Sequence, residues 1–444
     1  MKALIKNGQI IDPLNKIKEK SDILIENGKV VEIKKGIKVD SAYEIDAKGM
    51  IVSPGFVDLH ANFCDPGATD REDLKTGSLA AVKGGITHVV LGTDNKPAPS
   101  ESNVIDYIDK YKNIMPVNIY TSGAVTVDRL GYDVADINFL SNHGAVAFYD
   151  GHRPVADKNL LKKAMDIAKS KGKIISVYSE NDSKVKVRGI IEGNVAKKLG
   201  IKGPVSLSAE AKDLVDNIAI AKLAEAKIDL AYVSSSESIE VLEESKDENV
   251  FAEVPALNLI LTDKAVDTYG ALAKVLPPLR SETERAALCT ALKKGIIDII
   301  SSNHVPIEAK DKEGKLKDAK EGSIGLETML GICGKALVDS GILNWKEVIE
   351  KISINPAKLY GLDKYGAGRI DIGKVANITI FSPNEKWKLE EEDIVSKSHN
   401  TPLIGHELIG KVKYTICNGK LVYKDKSLIK DETKNKANEE KKEK

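Results

Sequence analysis

Eight short apolar runs, separated by helix-like stretches, constrain this fold more than any other feature. They are Gly55–Leu59, Thr87–Leu91, Val117–Tyr120, Ala145–Phe148, Ile174–Tyr178, Leu230–Val233, Val250–Val254 and Ile297–Ser301. Helical patterns lie between several of them, including Asn159–Ser170, Ala209–Ala226 and Glu282–Lys294. A strand that is apolar on both faces must be covered on both faces, as happens in a parallel sheet packed between helices. Eight repeats predict an α/β fold, a closed (β/α)8 TIM-type barrel with its active site at the strand C-terminal ends. An open doubly wound sheet is the alternative. It is weaker because no glycine-rich phosphate loop follows the first run.

The two chain ends have a different texture. Residues 2–52 alternate apolar and polar positions, and the same alternation returns in Ala376–Phe381 and Val412–Tyr423. Asn-Gly pairs at 7–8, 27–28 and 418–419 are hairpin-turn signals. These segments predict a small β-sandwich domain built from both ends, with residues 1–52 and 366–424 contributing and the barrel spanning 53–365. Residues 425–444 are mostly Lys, Glu, Asp and Asn, too polar to bury a core, and are expected to form a disordered tail.

Composition narrows the function classes. The 444 residues carry 66 basic and 66 acidic side chains, a formal charge of zero that argues against nucleic acid or an anionic membrane surface. No apolar run reaches membrane-span length, and the N-terminal residues lack a signal-peptide core. Four cysteines without C-x-x-C spacing read as reduced thiols of a cytoplasmic protein.

Several segments carry a resemblance. They are Pro54-Gly-Phe-Val-Asp-Leu-His60, Gly144-Ala-Val-Ala-Phe148, Lys274-Val-Leu-Pro-Pro-Leu-Arg280, Gly325-Leu-Glu-Thr328 and Asn355-Pro-Ala-Lys-Leu-Tyr-Gly-Leu362. Asn400-Thr-Pro402 and Gly410-Lys-Val-Lys-Tyr-Thr-Ile416 extend the match into the C-terminal region. In this order they resemble the class I dihydroorotases of the amidohydrolase superfamily. The resemblance implies zinc at the barrel mouth, whose hydroxide attacks a cyclic amide, and an aspartate that moves protons.

Position by position, however, this chain departs from that family's pattern. The first strand keeps His60, but Asn62 stands where a second histidine is expected. Asp150 survives after the fourth strand while Gly151 replaces its acidic neighbour. Tyr178 and Tyr232 take the histidine positions after strands five and six. Asn303 replaces the proton-moving aspartate, and an amide holds no transferable proton at neutral pH. Substrate-binding positions change too: Cys64 for an arginine, Asp94 for an asparagine, where its charge would repel an anion, and Leu276 for an asparagine.

The bland alternatives are concrete. His60 reads as a hydrogen-bonded relic, and Tyr178 and Tyr232 as fillers of the former metal cavity with partnered hydroxyls. Asp94 and Asp150 read as solvated loop carboxylates. The leading expectation is a non-catalytic, dihydroorotase-like protein with no catalytic, substrate-binding or metal residue and no cofactor. The resemblance implies that inactive barrels of this kind are oligomeric structural partners of aspartate carbamoyltransferase in pyrimidine biosynthesis. The alternative is an active cyclic amidohydrolase with a rearranged zinc site drawn from His60, Asp150 and His304, with Cys64, Asp65 and His152 as further candidates. A metal-free barrel that binds a small molecule is a third.

Overall fold

A computed structural model describes residues 2–181, 185–245, 247–425 and 427–428. The N-terminal strands are β1 (Lys2–Asp12), β2 (Ile17–Glu26), β3 (Lys29–Lys34), β4 (Tyr43–Asp46) and β5 (Ile51–Pro54). Eight barrel strands follow: β6 (Phe56–Ala61), β7 (Ile86–Leu91), β8 (Asn118–Gly123), β9 (Ala147–Phe148), β10 (Ile175–Tyr178), β13 (Ile228–Ala231), β14 (Val250–Pro255) and β15 (Ile299–Ser301). A short parallel pair, β11 (Val187–Ile191) and β12 (Pro204–Val205), lies between β10 and β13. The C-terminal strands are β16 (Ile378–Lys388), β17 (Glu407–Cys417), β18 (Lys420–Lys424) and β19 (Ser427–Leu428).

Each barrel strand overlaps one of the eight apolar runs, the sixth lying two residues before its run, at Ile228–Ala231 rather than Leu230–Val233. They pair in parallel and in chain order from β6 to β15. The sheet curls back on itself at the mouth, where the Asn62 amide donates to the His304 carbonyl at 3.0 Å. The Ser302 amide and hydroxyl also donate to Asp58, at 2.7 and 2.6 Å. Helices Lys158–Ser170, Ala209–Ala224 and Glu282–Lys294 cover the outside. The second stops two residues short of the expected Ala226, because Glu225 turns into the left-handed region (φ 48°).

The chain ends hydrogen-bond as one nine-stranded sheet. The ends meet where β5 runs antiparallel to β16, with Val52 opposite Ile380. Its core joins Ile5, Ile10, Ile23 and Ile25 from the N-terminal strands to Ile378, Ile380 and Ile416 from the C-terminal ones. Asn27-Gly28 and Asn418-Gly419 form the expected two-residue hairpin turns, with φ between 50° and 79°.

Asn7-Gly8 does not form a turn. It sits inside β1, where the register against β2 shifts between Ile5 and Gly8, so the pair marks a bulge. Asn7 is held by Asp22 and Asp46, and a Cβ on Gly8 would stand 2.4 Å from Val52 Cγ2. Asn7 takes the positive φ of a turn residue (63°) but Gly8 does not, and strand pairing on both sides makes the pair a bulge. All four cysteines are buried and unbridged. Among the described residues no helix is long and apolar enough to cross a membrane. Residues 429–444, most of the expected tail, lie outside the described residues.

Candidate functional site

The strand ends that should carry function are built with unusual backbone. His60, Cys64, Tyr232 and Asn303 all have positive φ, from 46° to 65°. Non-glycine residues adopt this region at a cost and hold it only where surrounding structure enforces it. The geometry of an active-site rim is therefore present, and the side chains decide what it can do.

At the mouth they form an aromatic plug. Tyr149, Tyr178, Ala231, Tyr232 and Leu276 pack as one buried cluster. The Tyr149 ring lies 4.3 Å from the His60 ring, and the His152 ring stacks on Tyr232 at 5.0 Å. The Tyr178 hydroxyl donates to Glu180 at 3.2 Å, and Glu180 in turn pairs with Arg188 at 2.7 Å. The Tyr232 hydroxyl, by contrast, has no hydrogen-bond partner, contrary to the expectation that both phenols are partnered. Burial pushes both phenols well above their usual pKa, so neither supplies a phenolate ligand at neutral pH.

Asn303 has both amide atoms engaged. Its Nδ2 donates to the Leu276 carbonyl at 2.7 Å and its Oδ1 faces His152 Nε2 at 3.2 Å. Burial pushes the His152 imidazole down to about 4, so it faces Asn303 as a neutral N–H donor. Asn62 Nδ2 reaches only the His304 carbonyl, at 3.4 Å. These residues do not fit the zinc centre that the family resemblance implies: two amides, a glycine and two neutral phenols replace its ligands and base.

The remaining candidates are dispersed. Asp150 is buried and satisfied internally, accepting from the Val125 amide at 2.8 Å and the Thr126 amide and hydroxyl at 3.2 and 2.5 Å. Asp94 is not a free repulsive charge. Burial alone would raise its pKa, but the paired Arg129 guanidinium holds it below the usual range. Asp150 is thus no solvated loop group, and Asp94 is half-buried and ion-paired. Cys64 is buried, and its thiol is pushed up to about 12. His304 accepts from the Gly325 amide at Nδ1 (3.2 Å), which leaves Nε2 facing Glu72 at 3.4 Å. Asp65 accepts from the Leu74 amide at 3.2 Å. The rearranged set of His60, Asp150, His304, Cys64, Asp65 and His152 is thus not brought together.

A different cluster is. Below the plug, inside the barrel, His60 Nε2 stands 3.3 Å from Asp229 Oδ2 and 3.7 Å from Glu253 Oε2. The Ser176 and Tyr360 hydroxyls donate to Asp229 Oδ2 at 2.9 and 3.0 Å and lie 3.1 and 3.0 Å from His60 Nε2. Tyr360 rises from below, packed with Val57, Leu59 and Ile299. Asp58, Asp229 and Glu253 are completely buried. Burial raises Asp58 to about 6, and burial together with the neighbouring Asp229 raises Glu253 far above its ordinary value. His60 is hydrogen-bonded, as expected, but its partners Asp229, Ser176 and Tyr360 went unread in the sequence. The available signal was charge inside apolar strands: Asp229 in Ile228–Ala231 and Glu253 in Val250–Val254.

Comparison with known proteins agrees with this architecture. Residues 51–422 match the amidohydrolase family. The chain is 38% identical over 426 residues to a dihydroorotase of Clostridium acetobutylicum, covering 95% of this chain and 100% of the relative. It is 40% identical over 428 residues to a dihydroorotase of Aquifex aeolicus, covering 96% and 100%. A dihydropyrimidinase crystal structure from Brevibacillus agri superposes with a TM-score of 0.84 at 24% identity, over 97% of this chain and 96% of that one. At that identity the likeness concerns the fold.

Proposed function

Because this chain belongs to the amidohydrolase family and is dihydroorotase-like along its length, we propose that it is a non-catalytic member of that family. In this reading it serves pyrimidine biosynthesis as a structural partner of aspartate carbamoyltransferase. The observation that carries the non-catalytic reading is Asn303. It sits where the family resemblance places the proton-moving group, with one amide atom bonded to the Leu276 carbonyl and the other facing His152. It can orient neighbours, but it cannot take or give a proton during ring opening. The tyrosine plug supports the same reading, since Tyr149, Tyr178 and Tyr232 pack with Leu276 as one buried cluster at the barrel mouth.

Support for a partner role comes from the surface. Val127, Leu130, Tyr132 and Phe139 are exposed large apolar side chains on the segment between β8 and β9, with Tyr132 82% exposed. Apolar side chains concentrated on one exposed segment suit a protein contact.

The deciding experiment is a dihydroorotase assay in both directions on the purified chain, with gel filtration alongside added aspartate carbamoyltransferase. The expected result is no turnover and co-elution. Turnover of dihydroorotate or carbamoyl aspartate would overturn the non-catalytic reading and restore the active amidohydrolase. Separate elution would remove the partner.

A further inference from the structure

We infer that the barrel interior holds one divalent metal ion, of the class of zinc, between His60, Asp229 and Glu253, as a closed structural centre. It lies below the mouth and uses none of Asn62, Asp150, Tyr178, Tyr232 or Asn303.

Geometry comes first. Among the described residues, His60, Asp229 and Glu253 are the one set of three whose ligand atoms all lie within 4.8 Å of one another. Two of the edges are 3.3 and 3.7 Å. Nitrogen and oxygen ligands about 2.0–2.2 Å from a tetrahedral zinc stand roughly 3.3–3.6 Å apart. One ion fits this spacing with small side-chain adjustment.

The second observation is a set of unused polar atoms. Glu253 Oε2 and Asp229 Oδ1 have no hydrogen-bond partner, although both residues are completely buried. The nearby Tyr149 and Tyr232 hydroxyls are also unpartnered. Native interiors rarely leave such atoms unsatisfied, because each gives up the hydrogen bonds it made in water. Glu253 Oε2 points toward His60 Nε2, where an ion would sit.

Burial points the same way. Asp229 and Glu253 are completely buried beside His60. Buried carboxyl groups need a partner or coordination. The supporting shell is already in place. Ser176 and Tyr360 hold Asp229, and the Ser301 hydroxyl donates to Glu253 Oε1 at 2.5 Å. Such hydroxyls orient ligand carboxylates around a metal. Nitrogen plus carboxylate oxygen suits zinc or manganese rather than calcium. Three protein ligands leave a fourth tetrahedral position, and the tyrosine plug on the mouth side and the Tyr360 and Ser176 hydroxyls, 3.0 and 3.1 Å from His60 Nε2, shut it off from substrate. The centre therefore stabilises the fold without reaching a ligand.

The test uses the full chain. Protein expressed in zinc-supplemented medium is dialysed against EDTA and analysed for metals, then unfolded in guanidinium with a colorimetric zinc chelator. The expected result is about one metal ion per chain, retained through dialysis and released on unfolding. Refolding with zinc chloride should raise the Tm over refolding with EDTA. Glu253→Gln and Asp229→Asn should each lose the metal and the zinc-dependent rise in Tm. A metal-free wild type whose refolded Tm ignores zinc would overturn the centre, as would variants that keep their metal. If the variants fail to fold, the zinc response of the wild type still decides. Dihydroorotate turnover on the same samples bears only on the proposed function, so the two inferences fail separately.

Discussion

Asn303 shows how one atom type decides what a rim position can do. Its Nδ2 donates to a buried carbonyl at 2.7 Å, a bond that a carboxylate in its place cannot make. Asn303→Asp should therefore not restore activity. It should destabilise the fold by about 1–3 kcal/mol, because the Leu276 carbonyl loses its donor and faces a negative charge. Urea denaturation and the dihydroorotase assay check both halves. His88 provides a pH prediction. Burial pushes its imidazole from 6.5 down to about 3, while its Nδ1 contacts the Thr87 hydroxyl at 2.9 Å. The unfolded chain then binds one more proton than the folded chain between these values, so stability falls as pH drops from about 6.5 toward 3. The limiting slope is about 1.4 kcal/mol per pH unit. His88→Gln should flatten that part of the stability profile. Asp58 has the opposite sign. Its raised pKa makes folding favour the protonated form, so its contribution is lost as pH rises from 3.8 toward 6.

Among the elements, β1 carries a prediction that the sequence alone would have misplaced. Gly8 lets β5 approach the bulge, since a Cβ there would stand 2.4 Å from Val52 Cγ2 and 3.1 Å from Ala47 Cβ. Gly8→Ala should cost about 1–3 kcal/mol by overpacking and should lower the Tm without altering the barrel. The eight barrel strands were readable because burial on both faces leaves a continuous apolar run of a few residues. The hairpins at 27–28 and 418–419 were readable because few residues accept two consecutive positive φ angles. Asn7-Gly8 misled because only Asn7 takes positive φ there, inside a bulge, and the pairing of β1 with both β2 and β5 is what sets bulge apart from turn.

At the scale of the whole molecule, the proposed partner contact is an exposed apolar one. Leu130 and Tyr132 are 55% and 82% exposed, so replacing both with lysine should leave the Tm unchanged. The double variant should weaken co-elution with aspartate carbamoyltransferase by about tenfold or more, the usual effect of removing aromatic anchors from an interface. A wild-type affinity that survives these changes would place the contact elsewhere on the surface.

The order of strands and helices and the union of the two chain ends are local properties, and the sequence by itself determined them. Apolar periodicity and residue chemistry act over a few positions and survive without a tertiary partner. The convergence of His60, Asp229 and Glu253 is a different matter. They come from β6, β13 and β14, and nothing local says that their side chains point to one place. Closure of the barrel decides that, by setting strand register and turning alternate residues inward. The same closure gave Asp94 its arginine and Asp150 its backbone donors. It also left the Tyr232 hydroxyl unpartnered, because partners for buried polar groups come from segments far apart in the chain.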